Sequence, residues 1–512
     1  MKVMKRFSLF IFILATSLLT AFAEDASVLY FAKHSPVRHN LNPAFMPEGY
    51  KIYVGMPGLS NIDVNVGNNS YVLSDFCKIK NGEIYSVFDN DPIIGINSVL
   101  SEAKNTVKAN ASTSVNFLNF GFTFKEKHFV NFGISMKTDV SASVPSPWIK
   151  YMFDTEDLTK LSGSFDLSRT TTDVNLYSEF ALGFADKLDE RLTVGAKFKY
   201  LMGHVSAHMD LSELKVEMDY NEWILKGRGE MYVSWPVLQI ENTDNGQLYF
   251  DITQKEIKNE KGEVVDYEYD IDPKDFFKPQ GHGFAVDLGA TYKLLDNRLT
   301  LSASLLDWGF INWSKSAQRI VLDADAGFEF EAANMQEDDD PIDMINLLLD
   351  EFNKVEFNKF YYADTSNKLS YSTNLTKKLF IGGEYSFLED KISVGLLSKM
   401  YMGKCRTREE FSIYGNFRPH RFVDLSVGYD FVTGAAHNIG LGANFNLGPV
   451  NLFIAADQIP LKWKGGLPVH TMGTHISTGM NFLFGWTKGK DKGERREYID
   501  NYEEVEDSEV ED

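Results

Sequence analysis

The chain has 512 residues, of which 44% are hydrophobic and 13% aromatic, with 39 Phe, 23 Tyr, 38 Gly and 15 Pro. That length admits several globular domains or one large barrel, and the aromatic and glycine content suits strands joined by tight turns. A formal charge of −21 argues against a nucleic-acid partner, because phosphate binding needs a basic face.

The chain opens with the basic stretch Met1–Arg6, an apolar run from Phe7 to Thr20, and Ala21-Phe22-Ala23. This pattern predicts a secretory signal peptide over 1–23, cleaved after Ala23. The run is shorter than a membrane helix needs, and no Cys follows the cleavage site to accept a lipid. No later apolar run is long enough for a transmembrane helix, so membrane insertion would require a closed β-barrel. Cys77 and Cys405 are the two cysteines. Both fall in expected loops, where an exported protein could pair them or leave them as thiols.

Residues 24–49 lack strand alternation. Ser35–Pro47 carries three prolines and the triplet Asn42-Pro43-Ala44, which suits a compact plug inserted in a barrel from its periplasmic side. From residue 50 to 486 the dominant signal is period-two alternation in segments of about ten residues, the height of a membrane strand. Val423, Leu425, Val427, Tyr429 and Phe431 oppose Asp424, Ser426, Gly428 and Asp430. Ile439, Leu441, Ala443, Phe445 and Leu447 oppose a face of Asn and Gly. The segments from Leu192 and from Gly283 alternate in the same way. Aromatic residues near segment ends, among them Phe184, Tyr200, Tyr292, Trp308, Tyr429, Phe484 and Trp486, suit interfacial girdles.

Short polar turns near 125–127, 186–190, 295–298, 389–391, 419–421 and 448–449 join twelve strands. One strand near 51–66 and one near 475–485 bring the count to about fourteen. The expected fold is therefore an all-β, transmembrane antiparallel barrel of about 14 strands, with an N-terminal plug and long outer loops. The polar phase of the alternation places Lys137, Glu179, Lys197, Lys199, Asp287, Lys293, Asp424, Asp430 and Asp457 toward the lumen.

The longest connections, 207–280 and 311–368, hold 17 acidic against 8 basic residues and 13 against 5, and the tail 487–512 holds 11 against 5. The wall is thus nearly neutral, and the acidity marks solvated outer loops and a disordered tail. Asp338-Asp339-Asp340-Pro341 precedes Ile342, Ile345, Leu348, Leu349 and Phe352, whose spacing predicts an amphipathic lid helix over 341–353. The Asp run lacks the Gly and final Glu of a calcium loop.

Catalytic signatures are missing: there is no G-x-S-x-G elbow, H-E-x-x-H pair or P-loop. His204 and His208 share a strand face without a third ligand nearby in sequence. No enzyme activity, metal or cofactor is expected.

The N-terminal stretch RHNLNPAFMPEGYKIYVGMPGLSNIDVNVG, followed by fourteen strands and two large outer loops, resembles the FadL-like outer-membrane superfamily. That group includes long-chain fatty-acid transporters and PorV-type proteins of the type IX secretion system. The stretch is most similar to an uncharacterised Bacteroidota family of such barrels. The resemblance implies that Asn42, Pro43 and Ala44 belong to a hatch plugging the lumen. It also implies that 207–280 and 311–368 are capture loops and that a kinked third strand gives a lateral exit. This chain differs in its acidic loops, in a third strand (128–143) with Gly133 but no proline, and in a tail beyond Trp486. The function implied is passage of hydrophobic small molecules across the outer membrane. The alternative is a PorV-type scaffold with envelope or secretion partners. Outer-membrane lipid is the expected surrounding in either case.

Overall fold

Strict alternation gives a strand two faces that must meet different media, and a strand in lipid must also pair both of its edges. The structure, a computed structural model, satisfies both demands with a closed sheet. It describes residues 27–486 apart from 71–76, 81–82, 87–104, 147–162, 219–221, 243–247, 253, 259–263, 270–273, 275–276, 330–360, 365–368, 404–406, 433–437, 461, 465–466 and 470–472. The expected signal peptide and tail, the lid helix with Ile342, Ile345, Leu348, Leu349 and Phe352, and Cys405 lie outside the described residues.

The barrel has 14 antiparallel strands. The first half comprises β1 (Ile52–Gly55 and Ile62–Asn68), β2 (Thr106–Phe124), β3 (His128–Pro145), β4 (Thr170–Lys187), β5 (Leu192–Met218), β6 (Gly281–Leu294) and β7 (Leu299–Trp313). The second half comprises β8 (Tyr371–Asn374 and Lys377–Phe387), β9 (Ile392–Met402), β10 (Thr407–His420), β11 (Val423–Val432), β12 (Asn438–Leu447), β13 (Val450–Pro460) and β14 (Gly473–Phe484). Each strand pairs with the next, and both parts of β1 pair with β14 as well as β2. The wall therefore has no free edge.

Short turns gather at one end, with several residues at left-handed φ, including Lys125, Glu126, Asp296, Asn297, Glu389 and Asp390. Such conformations match the twist of hairpins.

Outward-facing positions form the apolar belt of a membrane barrel. Leu182, Phe198, Ile381, Val427 and Ile454 are each more than half exposed. Inward-facing positions of the same strands, such as Asp424, Ser426, Asn444 and Asn451, are buried.

Three departures from simple alternation matter. First, β5 continues to Met218, where a long loop from residue 207 was expected. Glu222–Ser234 pairs with this extension on one edge and with Ala317–Glu329 on the other. The alternation runs on through it, with Ala207, Met209 and Leu211 and then Leu214, Val216 and Met218 against Glu213, Lys215 and Glu217, and its phase shifts at a bulge at Ser212. Second, β1 is interrupted at Met56–Asn61. The gap is stitched by Met56 N to Met480 O (3.1 Å), Gly58 N to Asn116 O (3.1 Å) and Asn116 N to Asn61 O (3.0 Å). The third strand, by contrast, pairs along its length. Third, β7 carries a bulge at Asp307, whose φ is 56°. Inward positions are even-numbered before it (Ser302, Ser304) and odd-numbered after it (Ile311, Trp313).

The lipid-facing assignment is testable at Ile454, which is 56% exposed in mid-strand. Ile454→Arg is expected to destabilise the lipid-embedded barrel by about 2–4 kcal/mol. Reversible denaturant unfolding in liposomes would read this, and an unchanged midpoint would contradict the assignment.

Candidate functional site

Residues 27–50 fold inside the barrel, in its short-turn half. Short 3₁₀ turns at Ser27–Leu29 and Arg38–Asn40 hold an otherwise irregular path. Val28, Leu29, Tyr30, Phe31, Val37, Leu41 and Phe45 pack with wall residues Leu306, Phe380, Leu397, Tyr401, Tyr414 and Phe453. Arg38 lies over the Phe45 ring at 4.1 Å, with its Nε donating to Tyr30 O at 3.1 Å.

The triplet Asn42-Pro43-Ala44 is fully inside this hatch. Asn42 Oδ1 accepts from Ala44 N at 2.9 Å, closing a turn on its own backbone. Its Nδ2 donates to the wall at Ala303 O, 3.2 Å. The triplet rests on Gly195 of β5 and Gly289 of β6, which are register partners. A Cβ on Gly195 would lie 2.3 Å from Pro43 O, and one on Gly289 would lie 2.1 Å from Asn42 Oδ1. The two glycines form a seat for backbone, and no larger residue fits there.

Polar ties fix the rest of the hatch. The three hydrogen bonds of Lys197 all go to hatch atoms: His39 Nδ1 (3.3 Å), His39 O (3.4 Å) and Asn40 Oδ1 (3.0 Å). Burial and the nearby Lys197 charge hold the His39 imidazole well below its ordinary pKa. It is therefore neutral, with Nδ1 accepting from Lys197 and Nε2 donating to Tyr53 Oη at 2.5 Å. At the short-turn end Lys33 meets Asp390 (2.7 Å) and Glu384 (3.5 Å), and Arg418 meets both carboxylates at 2.8 Å. His34 bonds Asp424 through its backbone N (2.9 Å) and Nδ1 (2.6 Å).

Above the hatch a belt of ionisable groups follows the wall. Lys199 is the hub of one half, at 2.5 Å from Asp307, 2.8 Å from Asp287 and 3.8 Å from Glu179. Lys137 joins it through Glu179 (2.7 Å) and Lys378 through Asp307 (3.4 Å). In the other half Lys399 meets Glu410 (2.6 Å) and Ser27 Oγ (2.9 Å). Asp457 accepts from Ser27 Oγ (3.2 Å) and Val28 N (3.3 Å), and Tyr414 lies 3.3 Å from Asp430. His475 lies 3.3 Å from Asp63 and 4.0 Å from Asp457.

Of the lumen residues expected from alternation, Lys137, Glu179, Lys199, Asp287, Asp430 and Asp457 sit in this belt. Lys197 and Asp424 hold the hatch, and Lys293 is half-buried at the short-turn end. Asp63, Lys378, Lys399, Glu410 and His475 were not singled out, although their strands alternate and the same signal reaches them. Asp307 was unreadable because its bulge reverses the phase.

Between hatch and belt lies a cavity of about 150 Å³. Its floor is apolar, from Leu29, Val37 and Leu41 of the hatch with Leu306 and Leu375 of the wall. Its sides are polar, including Asp63, Ser114, Lys137, Lys199 and His475. Passage of hydrophobic molecules would suit an apolar lining, and this lining is mixed. Among the described residues no group of three or more His, Cys, Asp and Glu is arranged to hold a metal. His204 and His208 serve other partners, Ser178 at 2.8 Å and Asp173 at 2.5 Å.

The family model described as a family of unknown function, DUF5723, matches residues 43–457. The chain belongs to the DUF5723 family. No curated protein matches it. This DUF5723 barrel is similar to the toluene transporter TodX of Pseudomonas putida, at 9% identity and TM-score 0.35 over 92% of this chain and 96% of that one. It is also similar to the Ralstonia pickettii toluene transporter TbuX, at 10% identity and TM-score 0.38 over 91% and 95%. A FadL homologue from Pseudomonas aeruginosa matches at 10% identity and TM-score 0.33 over 90% and 94%. At this distance these likenesses say nothing of cargo.

Two outcomes follow for the DUF5723 hatch. Gly195→Ala should unseat the Asn42–Ala44 turn and make the chain at Lys33 and Arg38 cleavable by trypsin in the folded barrel. The same resistance as wild type would mean the seat is not required. The second outcome concerns pH. Burial alone would raise the Asp390 carboxyl, but Lys33 and Arg418 pull it down to about 2. Its contribution is therefore present above about pH 4 and lost as pH falls toward 2. For His34, burial alone would lower the pKa, and Asp424 overcomes this and raises it. Its contribution is present below about pH 6.5 and lost as pH rises through the raised value. Hatch seating should be firmest between those limits. In Asp424→Asn the alkaline-side loss of hatch protection, followed by hydrogen exchange, should disappear.

Proposed function

We propose that this protein is an outer-membrane barrel that passes small molecules, with part of their surface apolar, around a fixed hatch. The carrying observation is the cavity on the hatch inside a sealed wall, with an apolar floor at Leu29, Val37 and Leu41. A cavity of about 150 Å³ suits a molecule the size of a single ring. In this reading the signal peptide is removed after Ala23, the short turns face the periplasm, and Asn42, Pro43 and Ala44 are the seated part of the plug. Ile342, Ile345, Leu348, Leu349 and Phe352 would shield the outer mouth. Membrane lipid surrounds the wall.

A second reading, a non-transporting scaffold of the PorV kind with envelope or secretion partners, is favoured by one observation. Much of the lumen is occupied by the hatch and by paired charges, as a permanently filled barrel would be.

Flux measurements on proteoliposomes separate the two. The intact protein is expected to give saturable entry of small solutes that carry apolar groups. No flux of any solute from intact protein, alongside a leak in Gly195→Ala, would leave the scaffold reading in its place.

A further inference from the structure

The cavity side formed by β1, β2 and β3 has an order that packing alone does not require. Asp63 pairs in register with Ser114, and Ser114 pairs in register with Lys137. All three line the cavity. One inward row thus presents a carboxylate, a hydroxyl and an ammonium on successive strands. Neighbouring strands are about 4.8 Å apart, so the ends of the row are separated by roughly 10 Å of wall. The two charges do not neutralise each other. Lys137 turns away to Glu179 on β4, and Asp63 has Asn61 and His475 as its neighbours. The Asp63 and Lys137 side chains remain 23% and 22% exposed, in a lumen where most belt carboxylates and ammoniums are buried. Among the described residues Lys137 makes one hydrogen bond, to Glu179, out of the three an ammonium can donate.

We infer that the row Asp63–Ser114–Lys137 is a binding site for a small zwitterion with an apolar body, the class to which aliphatic free amino acids belong. The inference rests on the reading of the protein as a barrel for small molecules and specifies what enters it. The ligand's ammonium meets Asp63, and its carboxylate meets Lys137 and the Ser114 hydroxyl. Its apolar body lies on the hatch floor of Leu29, Val37 and Leu41. An ammonium and a carboxylate about 3 Å apart, each extended by a hydrogen bond of about 2.8 Å, span the row. The charges around the cavity oppose a ligand of one sign. Lys137, Lys197, Lys199 and Lys378 face Asp63, Asp139, Glu179, Asp287 and Asp307, a nearly balanced set, so an added single charge would be buried without compensation. A pure hydrocarbon would strip water from Asp63 and Lys137 and return no hydrogen bond.

The test is equilibrium binding to the full mature protein in detergent, with three probes of matched shape: leucine, 4-methylpentanoate and isopentylamine. Leucine is expected to bind most tightly. Lys137→Gln should weaken leucine and 4-methylpentanoate about tenfold, the loss of one charge-assisted hydrogen bond, and leave isopentylamine no weaker. Asp63→Asn should weaken leucine and isopentylamine by a similar factor and leave 4-methylpentanoate no weaker. Ser114→Ala, the mildest change, provides a variant that keeps both charges and should weaken leucine less. Leucine binding that is absent, or unchanged in both charge variants, overturns the site, as does tighter binding of either singly charged probe. Proteoliposome flux keeps the two ideas apart. Leucine bound without flux of any solute removes the passage reading and leaves the site, whereas flux without leucine binding removes the site and leaves passage.

Discussion

Everything in this molecule depends on the pairing of the first wall strand with the last. Ile52 opposite Phe484 and Gly67 opposite Gly473 mark the two ends of that seam. In lipid an unpaired strand edge would leave a row of N–H and C=O groups without partners, each costing several kcal/mol. Closure removes the edge and at the same time creates a second medium, the lumen, whose character the protein sets for itself. The outer face must be apolar and varies little in kind. The inner face is free to carry lysine, aspartate and asparagine, provided each finds a partner there.

That provision explains the hatch and the belt together. Lys199 is tolerable at 4% exposure because three carboxylates surround it, and Lys197 because three hatch acceptors receive its hydrogen bonds. Removing one member of such a set leaves a buried charge uncompensated, which costs about 3–5 kcal/mol. Two wall bulges serve the same end. Asp307 at φ 56° and Gln458 at φ 60° hold left-handed conformations that non-glycine residues seldom adopt, at about 1–3 kcal/mol each. The first delivers a carboxylate to Lys199 and Lys378. The second delivers an amide that bonds Arg408 (3.2 Å) and Glu410 (3.0 Å). In both cases the local strain is offset by satisfying charges that the barrel has enclosed.

The sequence is legible wherever one strand face meets lipid and the other meets the lumen. Val423–Phe431 and Ile439–Leu447 show this contrast, and the wall could be traced through such segments. The signal fails where the physics changes. Residues 207–218 run on as strand and alternate, but the apolar phase shifts at a bulge at Ser212 and the acidic residues around it read as loop. At Met56–Asn61 the first strand breaks at Pro57-Gly58, a local turn signal that the surrounding alternation masks, and at Asp307 the phase flips through a bulge that has no local signature. The seat for Asn42–Ala44 was hidden for a different reason. Gly195 and Gly289 lie far from the triplet in sequence, and nothing local distinguishes them from the many glycines of the other strands.

The same ties limit how any cargo gets past the hatch. Withdrawing residues 27–50 from the barrel would strip Lys197 of its acceptors, Asp457 of Ser27 and Val28, and Asp424 of His34, and would expose the apolar contacts of Tyr30, Phe31 and Phe45. Each stranded buried charge costs about 3–5 kcal/mol, and several stranded together would reach the whole stability of an ordinary domain, about 5–15 kcal/mol. A small ligand in the cavity makes too few contacts to offset that sum. Movement past the hatch must therefore leave these anchors in place and shift only what they do not hold. The cavity is bounded by β14 and β1–β8; on that side the plug is held by Lys197 on β5 and Ala303 on β7, and on the other side Ser27 and Val28 are held by β9, β10 and β13. A path past the seated plug must run between these fixed points.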